Sequence, residues 1–490
     1  MKYIFGFCLL GLILASGVTY KLMPDIQNKV PILYWVTDPN PARETQIKTF
    51  QSWLAKNGYP KCEIRVDAAN LDQSKIIIQG VSGVAGDIID HIGWATIDFY
   101  TSVGLLEDVT DDAQKLGFGL EKTYPALGSE ITVQGRQYTF PCNVTADLLW
   151  INKATFEKYG QPIPPPRWTV EEFEKAGKAF VEKANAGKKR REVFFVNNID
   201  MKSLLRSIGL DTFNETLTAC VLDDPRYAKI LELQYKWTYE DHLIPTGAER
   251  SSFDTQAGYG GQTFQMFNNG NYAMIVCGRY ALIQFRKFGN MSLAVVEPPH
   301  LGYPIVEIHS RPSGVYAAGK NRNLAKYFLA YLASEDYNMN IVMDADALPP
   351  NPVFTKREEF LKPREYPNEW GCHEMLARAA LDIAVANSRS PFILPIVCNG
   401  HIKFYYDQFI NDRLTAEDAA RLTMVRINDE IKLSLRENPK LQPLYNEGVA
   451  IQEKIEAYRR EGKKVPSSWL FNPFYKRYYR DMGWVEEGSK

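Results

Sequence analysis

At 490 residues the chain is too long for one ordinary hydrophobic core, so two bodies of typical domain size plus an extension are expected. Its 57 Lys and Arg balance 58 Asp and Glu to a formal net charge of -1, which leaves no basic surface to argue for nucleic acid. Aromatic residues make up 12% of the chain, and such rings fill cores as well as stacking on the apolar faces of sugars.

Lys2 precedes an apolar run from Tyr3 to Val18, the charged-start, apolar-middle plan of a secretory signal, with Ala15, Ser16 and Gly17 as small residues for cleavage. The run falls just short of the roughly 20 residues that span a bilayer. Thr19 to Met23 extend it, so residues 1–23 are expected to be a cleaved signal or an uncleaved membrane anchor. Bulky Phe7 before Cys8 speaks against lipidation. Six further cysteines are widely spaced with no CxxC, and buried free thiols are the expected state in a chain this long.

Ile32 to Val36 reads as a strand. Asn40 can cap the next helix with Pro41 at its first position, and Ile47, Phe50 and Leu54 mark one apolar face before Asn57-Gly58 ends it. A second strand at Cys62 to Val66, a helix at about Leu71 to Gln79, a third strand at Asp87 to Ile89 and a helix near Ala95 to Val103 follow. This β-α-β-α-β order calls for a parallel sheet covered by helices.

Gly135 to Phe173 is the most informative stretch. An aromatic extended segment is expected to turn at Pro141, an apolar strand follows at Leu148 to Ile151, and a short helix stops at Gly160. Pro164, Pro165 and Pro166 bar a helix. Thr169 with Glu172 three residues on is the reciprocal capping box that opens the next one. Tyr138, Pro141, Asn152, Lys153, Pro165, Pro166, Trp168 and Thr169 together resemble extracytoplasmic solute-binding proteins of the sugar-binding type, the family that includes maltose-binding protein. Gly104-Leu105-Leu106-Glu107-Asp108-Val109 is similar to that family's phrase after its first β-α unit. Phe264, Phe267, Gly270, Tyr272, Ala273, Met274, Gly278, Arg279 and Tyr280 resemble its Phe-x-x-Gly-x-Ala-Met-x-x-x-Gly-x-Trp signature, with Tyr in place of the last Trp.

The resemblance implies an α/β chain of the periplasmic binding protein-like type II fold, two α/β lobes joined by a multi-strand hinge. The N-lobe is expected at 31–142 plus 290–345 and the C-lobe at 143–289 plus 346–437. Ala294 to Pro299 resembles a strand returning to the first lobe, Ser313 to Ala317 and the helix Asn323 to Ala333 complete that lobe, and Arg389 to Phe392 with Thr415 to Ala419 resemble the last C-lobe helices. From 438 to 490 the likeness fades into a helical, aromatic-rich extension, read either as a tail packed back on the body or as a docking segment.

Motifs for catalysis are weak. His373-Glu374 lacks a second His four residues after the first, no GxSxG occurs, and Gly258-Tyr259-Gly260-Gly261 fits no phosphate loop. A glycosidase needs only two suitably placed carboxylates, so a secreted carbohydrate-active enzyme stays as an alternative, as does a ligand-presenting sensor. In open α/β sheets the ligand lies beyond the carboxyl ends of the strands, which brings Trp35, Asp38, Asn40, Trp94, Asn143, Thr145, Arg279 and Tyr280 towards one cleft. The resemblance implies sugar contacts at Asp38 and Trp94 and a stacking ring at Tyr280, and puts His401 and Asn399 near a late C-lobe contact. Thr145 stands where maltose-binding protein has an acidic contact, which weakens maltose as the ligand. Each residue also has a structural alternative: Asp38 as a cap, Trp35 as core, Arg279 in an ion pair, Asn143 and Thr145 as partners for crossing strands. The implied function is an extracytoplasmic receptor that delivers a carbohydrate to the permease subunits of an ABC importer, as a monomer, without cofactor, metal or nucleic acid.

Overall fold

Apolar residues at Ile32–Val36 form β1, the centre of a parallel trio with β2 (Glu63–Val66) and β3 (Ile88–Asp90). Helix α1 (Ala42–Lys56) crosses from β1 to β2, and α2 (Gln73–Val81) from β2 to β3; α3 (Ile97–Ser102) comes after β3. The computed structural model describes residues 30–90, 97–252 and 261–486, with positions 11–12, 14–16 and 18. The expected signal or anchor therefore lies largely outside the described residues, and among those described no helix is long and apolar enough to cross a membrane.

A small hairpin, β4 (Thr132–Val133) and β5 (Arg136–Gln137), leads into β6 (Thr139–Ala146), and after a single residue into β7 (Leu148–Asn152). The turn expected at Pro141 does not form, because β6 runs through it. Pro141 sits opposite Pro312 of β11 (Val306–Val315), where neither residue owes the ladder an N–H. The capping box is present as expected: Thr169 Oγ1 accepts from Glu172 N, the Glu172 carboxylate accepts from Thr169 N, and α4 (Val170–Ala184) begins there.

Two sheets result. The six-stranded one runs β12-β11-β3-β1-β2, with β12 being Ala384–Ala386 and β6 along the other edge of β11. The four-stranded one runs β10-β7-β9-β8, with β8 at Phe194–Val196, β9 at Tyr272–Cys277 and β10 at Leu293–Val296. Strand β10, expected to return to the first sheet, instead pairs with β7 in the second. The return is made by β11, whose ten residues reach from β12 to β3.

Helices α5 (Met201–Ser207) and α6 (Pro225–Tyr235) pack on the second sheet. Asp200 and Asp224 cap them, and α6 continues into a π-helical turn at Lys236–Glu240. Helices α7 (Arg322–Ala333) and α8 (Glu335–Asp344) cover the first sheet, where Phe328, Tyr331 and Tyr337 join Trp35 and Phe50 in its core. Helix α9 (Cys372–Asp382) precedes β12, and α10 (Pro395–Ile410) and α11 (Ala416–Glu437) form a pair beyond it.

The extension packs back on the body. Helices α12 (Gln442–Arg460) and α13 (Pro473–Asp481) place Ile455, Phe474, Tyr475 and Tyr479 against Ile305, just before β11, and Val385 of β12. Asn472 caps α13 and donates to the Phe213 and Asn214 carbonyls. Cys62, Cys142, Cys220, Cys277, Cys372 and Cys398 are all buried and free, as composition led one to expect.

Candidate functional site

A bulge organises the first half of the site. Between Ser310 and Pro312 the register of β11 on β6 shifts, so Cys142 and Asn143 together oppose Arg311. Such an irregularity twists a strand and re-aims its side chains. Here the side chains of Arg311 and Asn143 reach a charged cluster at the carboxyl ends of β1 and β3. Arg311 Nη1 lies 2.9 Å from Asp38 Oδ1, and its Nε 3.2 Å from Asp90 Oδ2. Arg43, on the first turn of α1, is 2.8 Å from Asp38 and 2.9 Å from Asp346. Asn143 Nδ2 and Asn40 Nδ2 both donate to Asp346 Oδ1, at 3.2 and 3.3 Å. Trp35 Nε1 and Thr37 Oγ1 donate to Asp90, at 2.8 and 2.5 Å.

Three carboxylates thus meet two guanidiniums. Burial opposes charge on Asp38, but Arg311 and Arg43 outweigh it and hold its carboxyl below the ordinary range. Arg311 is 7% exposed, and its Nε and Nη2 have no well-formed hydrogen bond despite the ionic contacts. Asp38, with a side chain 26% exposed, is the edge of the cluster that solvent reaches.

The second half lies at the crossing between sheets. Asp147 is the one residue between β6 and β7; its Oδ1 is buried without a hydrogen-bond partner, and burial raises its carboxyl above the ordinary range. A Cβ on Gly278 would meet Thr145 Cγ2 at 2.5 Å, Tyr280 Cε1 at 3.0 Å and Asp147 Oδ1 at 3.1 Å, so only glycine lets these three converge. The carboxylate missing at Thr145 is present two residues on.

The residues singled out from sequence divide into three groups. Asp38, Asn40, Asn143 and Trp35 come together in the charged cluster, where Asn40 Oδ1 also accepts from Ala42 N at the start of α1. Trp35 is wholly buried and serves as core that braces Asp90. Thr145 and Tyr280 meet at Gly278. Arg279 is turned away: it is buried and donates to the carbonyls of Ile341, Val342 and Ala347 and to His373 Nδ1, so it ties β9 to α8. His401 is half-buried on α10, 3.5 Å from Glu430. Trp94 lies outside the described residues.

Sequence reasoning missed a cavity of about 790 Å3 on the second-sheet side. Asn198, Asp200 and Lys202, just after β8, and Ser388, Arg389 and Ser390, after β12, stand at one end. Its long walls are α6 with its π-helical turn, through Tyr227, Gln234, Thr238 and Tyr239, and one face of α10. Arg389 reaches across to Glu130 Oε1 at 3.2 Å, and Glu130 in turn accepts from Ser310 N of β11. The neighbouring Ser388 is held by Arg206 Nη2 at 2.8 Å and by Asn472 Oδ1 at 2.7 Å, so the C-terminal extension braces this rim. The recoverable signal was the i, i+4 spacing of Cys398, Ile402, Tyr406 and Ile410. Among the described residues no group of three or more His, Cys, Asp or Glu is arranged to hold a metal ion.

Comparison with known proteins gives a consistent result. The profile of the family described as bacterial extracellular solute-binding protein matches residues 42–339. Among solved structures, an ABC substrate-binding protein from Listeria monocytogenes in complex with cycloalternan aligns with a TM-score of 0.68 at 19% identity, covering 82% of this chain and 99% of that one. An ABC transporter solute-binding protein from Thermotoga lettingae bound with α-D-tagatose gives 0.66 at 17%, covering 82% and 100%. Maltose-bound MalE3 of T. maritima gives 0.65 at 18%, also covering 82% and 100%. At such identities these likenesses establish the fold, the type II periplasmic binding protein architecture expected from the sequence. The family and these neighbours are binding proteins. No curated protein matches the sequence.

Proposed function

The chain belongs to the bacterial extracellular solute-binding protein family, and from that premise we propose that it is the carbohydrate receptor of an ABC importer, closing on its solute and delivering it to membrane permease subunits. In this reading each sheet is the core of one lobe, and Asp147 and β11 form the hinge. The exposed edge of Asp38, with Asn143, Thr145 and Tyr280, contacts one end of the solute, and the cavity, whose lining includes none of these four, takes the rest. Trp35 and Arg279 hold the site from behind.

The observation that carries the proposal is the cavity. Its lining combines Tyr227, Tyr239 and Tyr406 of the helical walls with amides and charges that follow β8 and β12, the mixture a polyol requires: rings for its C–H faces, amides and charges for its hydroxyls. Neighbours of the same fold hold cycloalternan, tagatose and maltose. Groups from both lobes favour the closed form, so the solute acts through its higher affinity for that state. The sugar leaves unchanged, which asks no catalytic group of the site.

A thermal-shift screen against mono- and oligosaccharides, with amino acids and peptides as controls, tests this. A cognate saccharide raises the unfolding temperature with the logarithm of its excess. Tyr280→Ala should then weaken binding about tenfold by titration calorimetry while the chain stays folded. Stabilisation by amino acids or peptides alone would reject the carbohydrate reading.

A further inference from the structure

The cavity follows α10 for its whole length. From Pro395 to Ile410 the lining covers fifteen helical steps, about 22 Å. The wall is two-sided. Cys398, Ile402, Tyr406 and Ile410 make one row at i, i+4 spacing, and Asn399, Lys403 and Asp407 make the row beside it, all in the lining. Across from them Gln234 is buried, its Nε2 donates to Asn198 Oδ1 at 3.4 Å, and its Oε1 has no hydrogen-bond partner. Gln234 is a lining residue whose buried acceptor the chain leaves unpaired, and a donor brought by something else would satisfy it.

Resting on the carbohydrate reading above, we infer that the solute is an extended oligosaccharide, one end in the interlobe cleft and the rest threaded along α10, with a hydroxyl donating to Gln234 Oε1. The chemistry matches along the channel. A sugar chain presents apolar ring faces and hydroxyl edges in parallel, as the two rows of α10 present apolar and polar groups in parallel. A monosaccharide would leave most of the channel and its apolar row uncovered.

The test is a length series. Malto-, cello- and xylo-oligosaccharides of one to six units are titrated into the full chain by calorimetry. Within the series that binds, affinity should rise about tenfold or more from the disaccharide to the tetrasaccharide. Ile402→Trp, which narrows the channel, should bring the tetrasaccharide down to the disaccharide's affinity. Gln234→Leu should weaken the tetrasaccharide several-fold, with thermal unfolding confirming that both variants fold. Binding that does not depend on length, or a length dependence that both variants leave intact, overturns the channel and leaves the carbohydrate reading standing. If no saccharide of any length binds, both fall.

Discussion

At the ends of β1 and β3, Asp38, Asp90 and Asp346 are held by Arg43, Arg311, Asn40 and Asn143. Along α10, by contrast, the lining is open space and Gln234 Oε1 has no partner. Both regions border the site proposed for the solute, yet in one every carboxylate is paired within the chain, while in the other a buried acceptor is not. A complete buried cluster fixes geometry and is costly to break. An incomplete one leaves its interactions for a ligand. On the proposed reading the first region aligns the lobe and the second reads the length of the solute.

The largest effect should come from breaking the completed half. Arg43→Met removes the guanidinium that pairs with Asp346 at 2.9 Å, both side chains being 3% exposed. A buried carboxylate stripped of its cation costs about 3–5 kcal/mol. Urea denaturation should show that loss with an unchanged m-value. Gln234→Leu, which deletes an acceptor that satisfies nothing, should shift stability by less than about 1 kcal/mol. Equal losses in the two variants would erase the distinction between the regions.

A pH series separates the cluster from the network behind it. His373 Nδ1 accepts from Arg279 Nε at 3.1 Å, which requires a neutral ring, and burial pulls its pKa down from 6.5 to about 4. Glu369 Oε2 lies 3.2 Å from His373 Nε2, a geometry that would favour the imidazolium, but burial and the Arg279 donor prevail. Because the folded pKa is depressed, the unfolded chain takes up a proton that the folded chain refuses. Stability is then whole above pH 6.5 and falls by about 3 kcal/mol as pH drops towards 4. Asp38, also lowered but a carboxylate, contributes stability above its ordinary 3.8 and loses it only below that value. Calorimetric unfolding should therefore weaken in the higher window first. His373→Gln should flatten that window alone.

Much of this was legible in the residues. Alternating strand and helix patterns, the Thr169 capping box and the signature from Phe264 to Tyr280 gave the fold, because each is local chemistry that the tertiary structure leaves in place. Pro141 misled because its missing N–H suggests a turn, and only the partner strand reveals Pro312 opposite it. Strand β10 misled because an apolar run does not state which sheet it joins. Arg279 was chosen for its place in the signature, but long side chains can swing to either face, and this one caps the end of α8. Asp90, Arg311 and Asp346 could not be found, since their cluster depends on a bulge and on contacts across more than 200 positions. The cavity was invisible for a related reason: sequence reports which residues are apolar, not where packing stops.

A last comparison tests whether packing does stop along α10. Ile402 is half-buried and faces the cavity, whereas Ile427 on α11, in the same hydrophobic cluster, is 0% exposed. Truncating a fully packed isoleucine forfeits its transfer free energy and opens a new hole, about 2–5 kcal/mol in all. At Ile402 the space already exists, so Ile402→Ala adds no cavity boundary that the folded chain did not have. Only the contacts on its packed side are lost, about 1 kcal/mol. Parallel urea titrations of Ile402→Ala and Ile427→Ala should thus differ by at least twofold in lost stability. Were Ile402→Ala to cost as much as its counterpart, the channel would be closed in solution and α10 packed like its neighbour, and the contrast with the charged cluster would reduce to two completed halves.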